Sequence, residues 1–151
     1  MELGGVCVQS GVARNELSPE SLGSSVIGVV DDDPSVLKAL SRLLRSAGFV
    51  VVTFVSAEDF LTRFRQSALA CVVLDIHLGE MSGLDLQAYL ADAGVPLPIV
   101  FITAHDDPQT RARVEKSHQP YLRKPVDEKA LLDAIAGQLR SGVGPSGTVR
   151  R

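Results

Sequence analysis

Five times along its length the chain passes from a short run of β-branched and other apolar residues to a longer stretch with helical spacing. That alternation is how a parallel sheet with helical crossovers reads, an α/β arrangement. The runs are VIGVV (Val26 to Val30), VVVTF (Val50 to Phe54), ACVVLD (Ala70 to Asp75), PIVFIT (Pro98 to Thr103) and YLRK (Tyr121 to Lys124). The first, third and fourth are apolar on both parities, so helices should cover both faces of the sheet. The fifth alternates and suits an edge. With 151 residues, 45% of them apolar, the chain can bury one sizeable core, and a single domain is expected.

The helices between these runs carry their own start and stop signals. The first should begin at Asp33-Pro34, an N-cap followed by a proline pre-set for the first turn, and stop at Gly48, with Val36, Leu40, Leu43, Leu44 and Ala47 as its apolar stripe. A second opens at Ser56, with Asp59 placed for a capping box, and runs through Phe60, Leu61 and Phe64. The third covers roughly Gly83 to Asp92 and ends before Gly94; the last runs from Asp127 through Leu131, Leu132, Ile135 and Leu139. The stretch after Asp107-Pro108 offers only Ala112 and Val114 to bury, which predicts a fourth helix that is short, mobile or displaced. Residues 1 to 24 and 141 to 151, rich in Gly and Ser, are expected to be a flexible extension and a flexible tail around a domain at 25 to 140.

Composition narrows the class of partner. Eighteen acidic and fifteen basic residues are spread along the chain for a net charge of −3, which supplies no domain-sized positive field, so direct nucleic-acid binding is not expected. No apolar run approaches the ~20 residues needed to span a bilayer, and membrane insertion is not expected either. Two distant cysteines, with Cys71 inside an apolar run, fit a reducing cytoplasm.

In an open parallel sheet the ligand site forms at the carboxyl ends of the strands. Asp31 and Asp32 end the first run, Asp75 the third, Thr103 the fourth and Lys124 the fifth. One Asp at a strand end is an ordinary turn residue, and Asp33 is read as the N-cap it is placed to be. Five chemistry-bearing residues on four strands are harder to assign to turns. Three converging carboxylates would repel by about 4 kcal/mol per 4 Å pair at an effective dielectric near 20, so a cation is needed. Mg²⁺ suits an all-oxygen site in which water or phosphate completes the octahedron, and Lys124 adds a fixed positive charge. An Asp carboxylate beside a metal and a lysine is equipped to attack phosphorus and become an aspartyl phosphate.

The stretches VVDDDPSVLKALSRLLRSAGF, VVLDIHLGEMSGLDL, PIVFITAH and YLRKP resemble the signature segments of response-regulator receiver domains of two-component systems. Within that family the MSGLDL and ITAH stretches are most similar to receivers of the nitrogen-fixation regulator group. The resemblance implies a flavodoxin-like, doubly wound, five-stranded parallel sheet of order 2-1-3-4-5 with five helices. It implies phosphorylation of Asp75, with Mg²⁺ held by Asp31, Asp32, Asp75 and the backbone carbonyl of His77. Thr103 is similar to the switch hydroxyl that bonds the phosphoryl group, Lys124 to the lysine that holds it, and Tyr121 to the aromatic that turns inward when the threonine moves. Ala104 is the small neighbour that keeps the aspartate accessible, and Pro125 the proline of the lysine-proline turn. His77 and His105 match positions that tune how fast water removes the phosphoryl group. The implied partners are a sensor histidine kinase or phosphotransfer protein and a downstream protein target, and similar domains often form homodimers. The domain would be a phosphoacceptor rather than an enzyme.

Two features depart from the family pattern. Gly79 stands where most members have a proline, predicting a looser loop. The stretch EKSHQPYLRKP reads as one residue shorter than the usual turn before the fifth strand. Three functions therefore compete: a phosphorylated regulator, a receiver-like module that docks without phosphorylation, and a phosphatase with an aspartyl nucleophile. The last fits poorly, since such hydrolases carry a second acid two residues after the nucleophile and position 77 is His. A zinc site of His77, His105 and an aspartate lacks supporting spacing, and His118 is read as carrying no role.

Overall fold

A computed structural model of the protein describes residues 25–142, so the expected N-terminal extension lies outside the described residues. Eleven elements follow one another: β1 (Val26–Val30), α1 (Pro34–Ser46), β2 (Val50–Phe54), α2 (Ala57–Arg63) with a short 3₁₀ turn at Phe64–Gln66, β3 (Leu69–Asp75), α3 (Gly83–Asp92), β4 (Ile99–Thr103), α4 (Pro108–Ser117), β5 (Tyr121–Arg123) and α5 (Glu128–Gly142). The strands form one sheet in the order β2-β1-β3-β4-β5, and every neighbouring pair is parallel. Boundaries differ from the sequence reading by a residue: β3 starts at Leu69, β4 at Ile99, and β5 ends at Arg123. α5 continues through Ser141 and Gly142, the first two residues of the expected tail.

Strand parity explains why three strands are apolar throughout. Ile27, Val29, Cys71, Val73, Val100 and Ile102 point to the face covered by α1 and α5, where they meet Leu37, Leu40, Leu44, Leu131, Ile135 and Leu139. Val30, Val72, Leu74, Ile99 and Phe101 point to the other face, against Phe60, Leu86, Leu90 and Val114 of α2, α3 and α4. Two cores thus sit back to back across the sheet, and the central strands have no face left for polar side chains until they end.

Local signals set the helix ends. The Asp33 carboxylate accepts from the Ser35 N–H at 2.9 Å and starts α1. At the far end Gly48 donates to the Arg45 carbonyl and Phe49 to that of Leu44, the paired bonds of a Schellman close. The stripe of α1 is rotated from the one read in the sequence: Leu37 and Ser41 are buried, whereas Ala47 is exposed. In α2 the Ser56 hydroxyl accepts from the Asp59 N–H, but the return arm of the expected capping box goes to the Val55 N–H instead. Arg63 then grips Asp59 through two bonds of 2.8 and 3.0 Å and holds its carboxyl below the usual range. α3 opens with a complete capping box between Ser82 and Asp85.

α4 corrects the sequence expectation of a short or displaced helix. It has ten residues, as many as α3. Asp107 caps it by accepting from both the Thr110 N–H (2.8 Å) and the Thr110 hydroxyl (3.1 Å). Its buried residues are Thr110 and Val114, four apart on one face, while Ala112 is exposed. A threonine whose hydroxyl is satisfied by its own cap presents a methyl group to the core, and the apolar count had left that out.

If Val114 anchors α4, Val114→Ala should lower the stability found by urea denaturation by about 1–2 kcal/mol. Ala112→Ser should stay within about 0.5 kcal/mol of the parent, and equal losses at both positions would contradict this docking.

Candidate functional site

The polar side chains gather where the central strands stop. Backbone bonds extend the sheet one residue past β1, β3 and β5 and fix the site's scaffold: Asp31 N–H to the Phe54 carbonyl, Ile76 N–H to that of Ile102 and Lys124 N–H to that of Thr103. Asp31, Asp75 and Thr103 are buried there, whereas Asp32 is exposed. One carboxylate oxygen each from Asp31, Asp32 and Asp75 lie within 4.8 Å of one another. The Lys124 ammonium stands 2.8 Å from Asp31 Oδ2 and 3.4 Å from Asp75 Oδ2. The remaining Asp31 oxygen accepts from the Asp33 N–H at 2.9 Å, and Asp75 Oδ1 accepts from the His77 N–H at 3.2 Å.

Electrostatics at this cluster is unbalanced. Burial, and next the charge of Asp31, push the Asp75 carboxyl up to about 6, although Lys124 and the His77 N–H pull it down. Burial alone would lower the Lys124 ammonium, but its hydrogen bond to Asp31 and the charges of Asp75 and Asp31 outweigh that and leave it raised. Three carboxylates against one ammonium leave two negative charges over when all are ionised. A hard divalent cation fits that deficit and that all-oxygen donor set. Among the described residues neither histidine joins a three-residue metal-ligating group.

Other residues singled out in the sequence are placed as follows. The Thr103 hydroxyl does not face the carboxylates: it donates to the His105 carbonyl at 2.8 Å and accepts from the His105 N–H at 3.0 Å. Tyr121 is half-buried, and its phenol donates to Asp106 Oδ1 at 2.7 Å. Ala104 is exposed beside Thr103, and the Lys124–Pro125 bond is cis. His77 and His105, considered one at a time in the sequence, lie edge to face with ring centroids 4.9 Å apart. Asp33 is the helix cap and no part of the cluster.

Three positions have roles that the sequence reading did not give them. Gly83 packs its α-carbon so tightly that a Cβ would fall 2.3 Å from the Asp75 carbonyl oxygen, while its N–H donates to the Ile76 carbonyl at 2.8 Å, so α3 starts directly against the backbone of β3's end. A glycine opening a helix was the available signal. Gly79 has φ of 90°, a conformation closed to the proline usual there, so this loop follows a different path and is not simply a looser version. His118 is also left-handed, with φ of 61°, and closes α4, a structural role for a residue read as carrying none.

The raised carboxyl of Asp75 has a stability consequence with a definite sign. A carboxyl whose folded value lies above its unfolded value binds protons more tightly when folded, so its contribution falls as pH rises from near 4 to about 6. Asp75→Asn, which mimics the protonated form, should therefore be more stable than the parent at pH 7 in chelator-treated buffer, by up to about 3 kcal/mol. The gap should close towards pH 4 in urea titrations; a gap constant with pH would contradict the assignment.

Comparison with known proteins gives one family. The model described as the response regulator receiver domain matches residues 27–136. The response regulator protein TodT of Pseudomonas putida is 42% identical over 118 residues, covering 78% of this chain and 52% of that protein. Nodulation protein W of Bradyrhizobium diazoefficiens is 38% identical over 117 residues, covering 77% and 52%. Among solved structures, the response regulator StyR is 44% identical with a TM-score of 0.74, over 81% of this chain and 62% of that one. Full-length FixJ of B. japonicum is 29% identical with a TM-score of 0.74, over 81% and 61%. The chain spans about half the length of the curated relatives it matches. The matched stretch runs from β1 into α5 and takes in all five strands and every residue of the cluster, and the chain belongs to the response regulator receiver domains of two-component systems.

Proposed function

We propose that Asp75 is the phosphoacceptor of a two-component relay and that the receiver unit, residues 25–140, signals to a protein partner by changing shape. The observation that carries this reading is the convergence of Asp31, Asp32 and Asp75 within 4.8 Å, with Lys124 3.4 Å from Asp75. An ionised Asp75 oxygen attacks the phosphorus of a donor, the bond from phosphorus to the donor's leaving group breaks, and that group departs with the electron pair. With its carboxyl near 6, Asp75 is mostly ionised at pH 7 and ready to attack. Asp31, Asp32, Asp75 and the His77 carbonyl would hold Mg²⁺, which when bound neutralises charge on the phosphoryl oxygens. Lys124 follows the charge from the free carboxylate to a phosphoryl oxygen. Thr103 must give up its bonds to His105 before its hydroxyl serves the same group. His77 and His105, whose rings meet edge to face, would flank the phosphoryl group and set how easily water reaches it.

The donor class is a sensor histidine kinase or phosphotransfer protein, and the downstream target is a protein. A cytoplasmic setting accords with Cys71, a buried free thiol that burial pushes up to about 12, and with no described helix long and apolar enough to cross a membrane. Docking without phosphorylation drew its support from an irregular α4. In the structure α4 is a regular ten-residue helix, capped by Asp107 and anchored by Thr110 and Val114.

Incubation with acetyl phosphate and Mg²⁺ should add the mass of one phosphate to the intact protein, and Asp75→Ala should abolish the gain. A gain that persists in Asp75→Ala would sink the reading. Thr103→Ala should accept the phosphate yet show a blunted change in shape by amide hydrogen exchange. Lys124 sits 2.8 Å from the fully buried Asp31. Lys124→Ala should therefore destabilise the metal-free protein by about 3 kcal/mol as well as uncouple phosphorylation from the response, and Mg²⁺ should restore part of the loss.

A further inference from the structure

Both groups on which the proposed response depends are held by one dipeptide, His105-Asp106, in the loop between β4 and α4. The backbone of His105 engages the Thr103 hydroxyl as donor and as acceptor. The carboxylate of Asp106 accepts from the Tyr121 phenol at 2.7 Å and lies 3.4 Å from Arg111 Nε on α4 and 3.9 Å from Arg123 Nε on β5. Two guanidinium groups thus flank the carboxylate that accepts from the phenol. That bond to a carboxylate is of the stronger, charge-assisted kind, and it holds the phenol above its ordinary ionisation range.

We propose that Asp106 is a positioning residue, the latch that keeps Tyr121 and, through His105, the Thr103 hydroxyl in the resting arrangement until a phosphoryl group reaches Asp75. The inference rests on the reading of Asp75 as phosphoacceptor. Thr103 has one hydroxyl proton, and it is committed to the His105 carbonyl; to serve a phosphoryl oxygen it must leave, which frees that carbonyl and the loop backbone to turn. The next residue along is Asp106, so the acceptor of the Tyr121 phenol moves with the loop. Coupling of this kind is reciprocal: weakening the latch raises the readiness of the site to accept a phosphoryl group.

The chain has two tyrosines and no tryptophan, and Tyr89 is exposed on α3. In the full chain carrying Tyr89→Phe, absorbance and emission therefore report on Tyr121 alone. Against that parent, Asp106→Ala should ionise its phenol at lower pH. Without any ligand it should show the emission that the parent reaches only with Mg²⁺ and beryllofluoride. Labelling by acetyl phosphate should be about fivefold faster, the effect of removing one hydrogen bond from a two-state balance. Tyr121→Phe removes the same bond from the other side, should match that rate, and should add nothing when combined with Asp106→Ala. Unchanged phenol titration and labelling rate in Asp106→Ala, or additive rates in the double variant, would overturn the latch while Asp75 still takes up phosphate. A parent that takes up no phosphate would overturn the reading of Asp75 and the latch with it.

Discussion

The pairing of Lys124 with Asp31 is the interaction on which the site depends. Asp31 is fully buried, and a buried carboxylate without a cationic partner costs several kcal/mol. The partner comes from the far edge of the sheet: Lys124 follows β5, ninety-three residues away, and its ammonium bridges the carboxylates that end β1 and β3. Strand order makes that reach sensible. With β3 and β4 between β1 and β5, an edge-strand lysine leaning inward covers both carboxylates, and the Lys124 N–H bonded to the Thr103 carbonyl fixes where it starts.

What the sequence made legible follows from the same architecture. Strands buried on both faces must be apolar at every position, so the polar residue that ends each of them stands out, and Asp31, Asp75 and Thr103 were readable as a set before any coordinates. Helix ends were readable because their signals are local: Asp33 before Pro34, Ser56 before Asp59, the glycines after α1 and α3. The burial of Lys124 was not readable, since it depends on a contact across nearly the whole domain. Nor was Asp106, whose partners Tyr121 and Arg123 lie on a different strand. α4 was misjudged for a different reason. Counting apolar letters undervalues Thr110, which spends its hydroxyl on its own cap and turns a methyl group to the core.

Gly83 shows how closely the local and the distant are joined at this site. The capping box of α3 is a local matter of Ser82 and Asp85, yet it brings the helix start against the Asp75 carbonyl so tightly that no side chain fits. The strand that carries the candidate acceptor is therefore braced by the helix that follows it. The loop between them turns through Gly79, whose φ of 90° a proline cannot adopt.

The charge balance gives the proposed response its direction. At rest the cluster already carries more carboxylate than ammonium, and burial, with the Asp31 charge second, lifts Asp75 to about 6. Converting one carboxylate to an acyl phosphate adds about one further negative charge at neutral pH and three acceptor oxygens. Lys124 is shared with Asp31, so the new oxygens call for another donor, and Thr103, at the end of the neighbouring strand, has one in use on its own loop. Taking it for the phosphoryl group withdraws it from His105. In the proposed response the chemistry at one end of β3 would thereby rearrange the loop that joins β4 to α4, the loop on which Asp106 contacts Arg111 of α4 and Tyr121 of β5.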